Sequence, residues 1–137
     1  MKIRKATKKD LKKCAKISDI PELVLDYYGK RPNVNHLAEF LGPLFLVVED
    51  SGNIIGYILG EKEKAGVVFL NILVVEKKFR DKGIGKLLLK EFMKRAKKMK
   101  LKEVYTLAPN WKKKLLKFYK KNGFFEMKYY TYFTKDL

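Results

Sequence analysis

The chain has 137 residues, of which 32 are Lys or Arg and 15 are Asp or Glu, giving a formal net charge of +17. This length predicts one domain over residues 1–137 with a single core, and the only cysteine, Cys14, excludes an internal disulfide. Because no 18-residue apolar run or apolar leader stands out, a spanning helix is excluded, and we expect a cytoplasmic protein with no membrane association in a reducing compartment.

Residues 3–6 read as a short strand, and Thr7 followed by Asp10 resembles a capping box that starts a helix. This helix is expected to bury an apolar face made of Leu11, Cys14, Ala15 and Ile17. We expect Cys14 to pack in the core and not to act as a nucleophile, since no His neighbours it in sequence. Prolines and glycine interrupt the pattern from residue 18 to 35, where short helical turns are expected at 22–28 and 34–41.

Three strands are predicted next, at residues 44–49, 54–61 and 67–75, with a hairpin turn at Ser51-Gly52-Asn53. A long helix follows at residues 84–99, because apolar residues recur there at three- and four-residue spacing. Its expected inward stripe is Ile84, Leu87, Leu88, Phe92, Ala96 and Met99.

The last part of the chain begins with a fifth strand at residues 104–107, which Pro109 ends. A helix around residues 115–119 is expected to stop at Asn122-Gly123, since Gly is the usual left-handed residue after a helix. Residues 124–134 are aromatic and strand-like. This succession predicts a mixed α/β (α+β) fold with antiparallel hairpins in its middle.

The most informative segment is Arg80-Asp81-Lys82-Gly83-Ile84-Gly85, between a predicted strand and the long predicted helix. Gly83 and Gly85 let the backbone approach a ligand closely. The unpaired N–H groups and the dipole of a helix start favour negative charge. The segment therefore predicts a pyrophosphate-binding turn, although it contains neither the P-loop nor the dinucleotide-binding fingerprint.

The chain resembles the GNAT superfamily of acyl-CoA-dependent N-acyltransferases over almost its full length. The first signature, an apolar strand and [QR]-x-x-G-x-[GA] opening a long helix, matches residues 72–88. The second signature matches Phe118-Tyr119-Lys120-Lys121-Asn122-Gly123-Phe124. The resemblance implies a mostly antiparallel sheet of six to seven strands, flanked by about four helices and splayed at its central strands.

The resemblance also implies acetyl-CoA as the acyl donor and no metal. The pantetheine arm is expected to lie as a substitute strand along the backbone of Leu73, Val74 and Val75. The pyrophosphate is expected at the N–H groups of Arg80, Asp81, Lys82, Gly83, Ile84, Gly85 and Lys86. Asn110 is the candidate for a further pantetheine contact, because Lys112 stands where the family often has Asn.

The reaction implied is direct attack of a primary amine on the thioester, with Tyr119 matching the tyrosine that protonates the leaving thiolate. A base must also take a proton from the amine. The family often has Glu on the strand before the Gly turn, but that strand offers only Asn71, which cannot act as a base. Glu61 is the first candidate base, followed by Glu22 and Asp26. A strand N–H near Val75 is expected to hold the oxyanion.

The acceptor amine, whether in a small molecule, a protein N-terminus or a lysine side chain, is not readable from the sequence. The Lys excess has two interpretations. The first is a solvated surface of thermophile-like composition that binds polyanions weakly and without specificity. The second is an RNA- or DNA-binding module on a catalytically idle acyl-CoA fold, for which Lys128-Tyr129-Tyr130-Thr131-Tyr132 is the one suitable segment. A monomer or a homodimer is expected.

Overall fold

The computed structural model describes residues 1–21, 23 and 30–137. One sheet contains five strands in chain order, β1 (Lys2–Lys5), β2 (Phe45–Asp50), β3 (Asn53–Lys62), β4 (Val67–Val75) and β5 (Glu103–Tyr105). Neighbouring strands run antiparallel except β4 and β5, which are parallel. The α-helices are α1 (Leu11–Ile17), α2 (Val34–Ala38), α3 (Ile84–Lys98) and α4 (Lys113–Lys121). The mixed, mostly antiparallel α/β fold is thus confirmed.

The chain divides into two compact units, Met1–Thr106 and Leu107–Leu137. The first unit contains the whole sheet and helices α1 to α3, and the second contains α4 and the residues that follow it. One domain over residues 1–137 stays a prediction.

In the first unit, helices cover both faces of the sheet. Residues of α1 and α2 form one buried cluster with Tyr57 and Leu59 of β3. A Cβ added at Gly60 would lie 2.5 Å from Cζ of Phe92 in α3. Leu59 thus faces α1, and its neighbour Gly60 faces α3. Because neighbouring residues of a strand point to opposite faces of the sheet, α3 covers the face opposite α1.

The capping box predicted at Thr7 is confirmed, and it starts a short 3-10 turn, Lys8–Asp10, that leads into α1. The backbone N–H of Thr7 donates to Oδ2 of Asp10 at 2.8 Å, and the Arg4 guanidinium donates to both Asp10 oxygens at 2.8 and 2.9 Å. The Arg4 hydrogen bonds hold the pKa of Asp10 below its usual value. Cys14 is fully buried, and burial raises the pKa of its thiol to about 12, so core packing is its role.

The predicted inward stripe of α3 is wrong at Leu87, which is 44% exposed while Leu89 is buried. Met99, the last residue of the predicted stripe, is half-buried and lies just after the end of the helix. The buried residues of the helix are Ile84, Leu88, Leu89, Phe92 and Ala96. Ile84, Leu88, Phe92 and Ala96 form a row along one side of the helix. Leu87 lies on one side of this row and Leu89 on the other. The spacing alone permits either side to face the sheet, and the position of the sheet selects Leu89.

In the second unit, α4 ends at Asn122-Gly123 as predicted. Gly123 has φ +88°, and the N–H groups of Gly123 and Phe124 donate to the carbonyls of Lys120 and Tyr119, a Schellman motif. The strand predicted at residues 124–134 is wrong, since residues 122–137 contain none. The described sheet therefore has five strands instead of six to seven. Alternating aromatic residues favour a strand only beside a partner that supplies ladder hydrogen bonds.

Of the helical turn predicted at residues 22–28, all residues except residue 23 lie outside the described residues. The turn predicted at residues 34–41 is confirmed as the short helix α2.

Candidate functional site

Strand β5 accompanies β4 along only part of its length. Residues 67–69 of β4 are in register with Glu103–Tyr105, and the Thr106 hydroxyl donates to the Leu70 carbonyl at 2.9 Å. Within the described residues, no strand continues this pairing beyond Leu70. The sheet therefore opens beside the second half of β4, as the predicted splay requires.

The open edge of β4 carries the backbone groups of Leu73 and Val75. The Glu76 N–H donates to the Ile55 carbonyl at 2.8 Å, which fixes the direction of the backbone at the end of β4. Because backbone polar groups along a strand point alternately to its two sides, those of Val74 point to β3. Those of Leu73 and Val75 point to the open side, where they can bind an extended chain carrying amide groups.

A bulge in β4 lies where this open edge begins. Leu59 is in register with Ile72 and Gly60 with Leu70, so Asn71 is the extra residue of β4. Asn71 as a whole is half-buried. Its Oδ1 atom is buried and has no hydrogen-bond partner among the described residues.

The turn after β4 is held by its backbone conformation. Nε of Arg80 donates to the Val75 carbonyl at 2.8 Å. Asp81 and Gly83 have φ +63° and +79°, in the left-handed region that favours glycine. No atom lies within 4 Å of the position that a Cβ on Gly83 would take. Conformation, and not crowding, therefore favours glycine at residue 83.

The first turn of α3 offers amide groups to a ligand. Leu87 N–H donates back to the Gly83 carbonyl at 3.1 Å, whereas the amides of Ile84, Gly85 and Lys86 precede the first helical hydrogen bond and have no acceptor within the helix. The helix is 15 residues long, and its dipole adds positive potential at this end. These groups together can bind a phosphate or pyrophosphate.

Basic side chains surround this turn. Lys82 and Lys86 are exposed and Arg80 is half-buried. The ammonium groups of Lys78 and Lys82 lie 5.1 and 5.7 Å from the ring centre of Phe79, within cation–π range. Neither Lys78 nor Phe79 was among the predicted site residues. The sequence did contain a signal for these contacts, because Phe79 directly follows Lys78 and precedes Lys82 by three residues.

Glu61, the predicted base, is exposed near the end of β3 and in register with Phe69 of β4. Directly paired residues have their side chains on the same face of the sheet. Gly60 faces α3, so the next residue, Glu61, and its partner Phe69 lie on the opposite face. Phe69 stacks on Tyr105 with ring centres 4.9 Å apart, and the Tyr105 hydroxyl donates to Glu63 at 2.6 Å. This hydrogen bond raises the pKa of Tyr105 to about 12.

The structure thus puts Glu61 beside a second acid and two stacked rings that the sequence did not single out. The other two candidate bases, Glu22 and Asp26, lie outside the described residues.

Two predicted site residues belong to the second unit. Tyr119 of α4 is half-buried, and its ring packs edge-on against Phe118 and Phe124, with centres 5.3 and 5.2 Å apart. Asn110 is exposed and lines an open groove of about 480 Å³. The other groove residues are Lys113, Lys114, Leu116, Lys117, Lys120, Glu126 and Lys128.

In the part of the chain that the structure describes, no group of three or more His, Cys, Asp or Glu side chains could hold a metal ion. No helix in the same residues is long and apolar enough to cross a membrane.

The sequence was compared with models of protein families, and one family matches it. A family model described as the acetyltransferase (GNAT) family matches residues 11–124, more than four fifths of the chain. No curated protein matches the chain.

Solved structures of similar fold include Ard1 from Thermoplasma volcanium, with 21% sequence identity over 95% of this chain and 88% of that one, and a TM-score of 0.81. Naa20 from Chaetomium thermophilum, in complex with a bisubstrate analogue, has 25% identity over 90% of this chain and 70% of its own, with a TM-score of 0.76. The PaiA N-acetyltransferase from Thermoplasma acidophilum, in complex with coenzyme A, has 24% identity over 89% and 87% of the two chains, with a TM-score of 0.74.

Proposed function

The chain belongs to the GNAT acetyltransferase family and is an acetyl-CoA-dependent acyltransferase, and from this premise we propose that it acetylates a primary amine. The amine belongs to a small molecule, a protein N-terminus or a lysine side chain, and it attacks the thioester directly. The observation that carries the proposal is the continuity of the open edge of β4 with the amide-rich turn before α3. An extended amide-bearing arm that ends in a pyrophosphate has the matching chemistry.

Acetyl-CoA would meet a different kind of group along each part of its length. Its pyrophosphate would accept from the amides of the turn from Arg80 to Lys86, with Arg80 and Lys82 adding positive charge. Its pantetheine amides would pair with Leu73 and Val75 on the open edge. Val74, whose backbone points to β3, would hold that edge in place, and Asn110 would contribute a further polar contact from the loop before α4.

The proposed reaction forms a C–N bond and breaks a C–S bond. The lone pair of the amine attacks the thioester carbon, and the carbonyl oxygen becomes an oxyanion that the Val75 N–H stabilises. When the tetrahedral intermediate collapses, the thiolate of CoA takes a proton from the Tyr119 hydroxyl. The proton that the amine nitrogen loses passes to Glu61, directly or through one water. Tyr119 then recovers its proton from solvent.

The assignments of Tyr119 and Glu61 are supported by different observations. Tyr119 occupies the tyrosine position of the second signature, and its ring is packed between two aromatic neighbours, Phe118 and Phe124. Glu61 is an exposed carboxylate close to the β4 bulge in the register of the sheet. Glu63, the neighbouring acid, already accepts a hydrogen bond from the Tyr105 hydroxyl.

Release of free thiol from acetyl-CoA in the presence of a panel of amines tests the function. The panel should contain polyamines, aminoglycosides, peptides with free N-termini and lysine-rich peptides. We expect release with at least one class, and a fall of at least tenfold in kcat/KM for Glu61→Gln, as loss of a general base predicts. Glu103→Gln, which removes another exposed carboxylate of the sheet, is the matched control. Absence of acetyl-CoA binding by calorimetry would refute the proposal.

The alternative of a nucleic-acid module has no specific support in the fold. It needed aromatic and basic side chains on an exposed strand face, but residues 124–137 contain no strand. We therefore interpret the Lys excess as a solvated surface. Such a surface should bind polyanions weakly, and this binding should be lost steeply as the salt concentration rises. Filter binding of RNA across a salt series tests this, and tight, sequence-selective binding at physiological salt would favour the alternative.

A cytoplasmic location and a monomeric or homodimeric state complete the proposal. The single buried Cys14 fits a reducing compartment. Light scattering after size-exclusion chromatography measures the oligomeric state.

A further inference from the structure

Among the described residues, Oδ1 of Asn71 is the one buried side-chain oxygen or nitrogen without a hydrogen-bond partner. A buried carbonyl oxygen in this condition costs about 1–3 kcal/mol relative to one that is paired or hydrated. Leucine has nearly the same shape as asparagine and would fill the space without that cost. An unpaired buried polar group in a folded protein therefore calls for an explanation, and a ligand that supplies the missing donor is one.

The position of Asn71 relates it to the opening beside β4. Asn71 is the extra residue of the bulge between Leu70 and Ile72. The Leu70 carbonyl accepts the last contact from the β5 side, through the Thr106 hydroxyl. Asn71 is therefore the first residue of β4 beyond the closed part of the sheet. A bulge of this kind redirects a side chain and often lies next to an active site.

The order of groups along β4 indicates which part of the reacting system meets Asn71. The pyrophosphate site is at the turn that begins with Arg80, and the open backbone edge runs from Val75 to Leu73. Asn71 comes next, about 13 Å along the strand from Val75. Beyond the pantetheine arm come the thioester and the amine that attacks it, so these groups would lie nearest Asn71.

Rotation of the amide can present its oxygen to a ligand at little cost. The χ2 torsion of asparagine is soft and roughly two-fold, and Asn71 is only half-buried. Rotation by about 180° exchanges the two ends of the amide. A donor from a ligand would favour the orientation that presents Oδ1 to it.

We propose that Asn71 binds the acceptor amine, its Oδ1 accepting a hydrogen bond from the nitrogen that attacks the thioester. This inference rests on the proposed function. A neutral oxygen orients the amine without stabilising the ammonium form, whereas a carboxylate at residue 71 would raise the pKa of the amine and reduce the reactive free base. Proton removal is left to a separate group, for which Glu61 is the candidate.

Two variants at this position test the inference. Asn71→Leu should fold with a melting temperature equal to or above that of the wild type, because it removes an unpaired buried oxygen. Its acetyl-CoA Kd should stay within about threefold, while kcat/KM for the amine should fall by about tenfold, the net value of one hydrogen bond. Asn71→Asp should shift the acidic limb of the kcat profile to higher pH, because this profile reports the pKa of the bound ammonium and a carboxylate beside it raises that pKa.

Each other outcome refutes the inference in a recognisable way. Full kcat/KM for the amine in Asn71→Leu would show that the amide does not contact the acceptor. A loss of acetyl-CoA affinity in that variant would assign Asn71 to the pantetheine arm, and a large fall in melting temperature would assign it to the fold. If the wild type binds acetyl-CoA but releases no thiol with any amine, the proposed acceptor class fails, and the inference fails with it.

Discussion

Nε of Arg80 donates a hydrogen bond to the backbone oxygen of Val75 across 2.8 Å. This bond joins the beginning of the turn to the end of β4. It brings a permanently charged guanidinium to the junction between the open strand edge and the amide-rich turn. A change at Arg80 therefore affects both parts of the proposed acetyl-CoA site.

Arg80→Lys should weaken acetyl-CoA binding by about tenfold with little change in stability, because Lys cannot bond the Val75 carbonyl and direct a planar charge to the phosphates at once. Isothermal calorimetry measures the affinity. Arg95→Lys is the matched control, since the Arg95 Nε also makes one hydrogen bond, to Glu91 at 3.0 Å, but is in the fourth turn of α3. Equal affinities for the two variants would contradict the role of Arg80.

Gly83→Glu should abolish measurable acetyl-CoA binding, because it brings a negative charge and a side chain to the turn proposed to bind the pyrophosphate. Gly52→Glu is a close control. Gly52 has the same φ of +79° and the same open surroundings, with no atom within 4 Å of an added Cβ, but it lies in the β2–β3 hairpin. The two variants should lose similar stability, and only Gly83→Glu should lose affinity. Gly85→Glu should act in the same direction as Gly83→Glu.

Tyr119→Phe should lower kcat by roughly 10²–10⁴-fold while the acetyl-CoA Kd stays nearly constant, because only the proton donor is removed. The ring contacts with Phe118 and Phe124 survive this change. Stopped-flow thiol release measures the chemical step directly. Tyr130→Phe, at an exposed tyrosine, is the control. Undiminished single-turnover rates would make Tyr119 a packing residue.

Gly60→Ala should destabilise the protein by about 1–3 kcal/mol, because the added Cβ would lie 2.5 Å from Cζ of Phe92 and 2.7 Å from the Phe69 carbonyl. Gly42→Ala should change stability by no more than about 0.5 kcal/mol, since its added Cβ meets only a carbonyl oxygen at 3.8 Å. Urea unfolding compares them. Partial rescue of Gly60→Ala by Phe92→Leu would identify the ring contact as the cause.

Asp10→Asn should lower the free energy of unfolding by about 2 kcal/mol at pH 7, because it removes the charged partner of Arg4. The pKa of Asp10 is lowered in the folded state, so its contribution is complete above the unfolded value near 4 and is lost as pH falls through the lower folded value. The difference between wild type and variant should therefore disappear on acidification. Urea unfolding across pH measures this difference, with Asp136→Asn, near the chain end, as the control variant.

The local features of the site could be predicted from the sequence because each depends on a few neighbouring residues. Gly83 indicates a left-handed backbone position, and Gly123 indicates the end of a helix. The pair Thr7 and Asp10 reports the start of one. The strand before the turn and the helix after it follow from the spacing of apolar residues alone.

Features that depend on a partner element could not be predicted in the same way. The strand expected at residues 124–134 has no ladder in the structure, and Leu89 instead of Leu87 faces the sheet. The hydrogen bond between Tyr105 and Glu63 joins residues that are 42 apart in sequence, and no local sequence pattern predicts it.

The sequence by itself determined the order of the elements as far as α4, the glycine-containing turn before α3 and the family, because periodicity, capping and glycine conformation are properties of contiguous residues. Only the tertiary structure decided that β5 leaves β4 after residue 69, that Leu73 and Val75 face the opening, and that Asn71 is a bulge residue with an unpaired oxygen. These depend on strand register, and register is set by the packing of whole faces against each other, since a shift of one residue would exchange the buried and exposed sides of a strand.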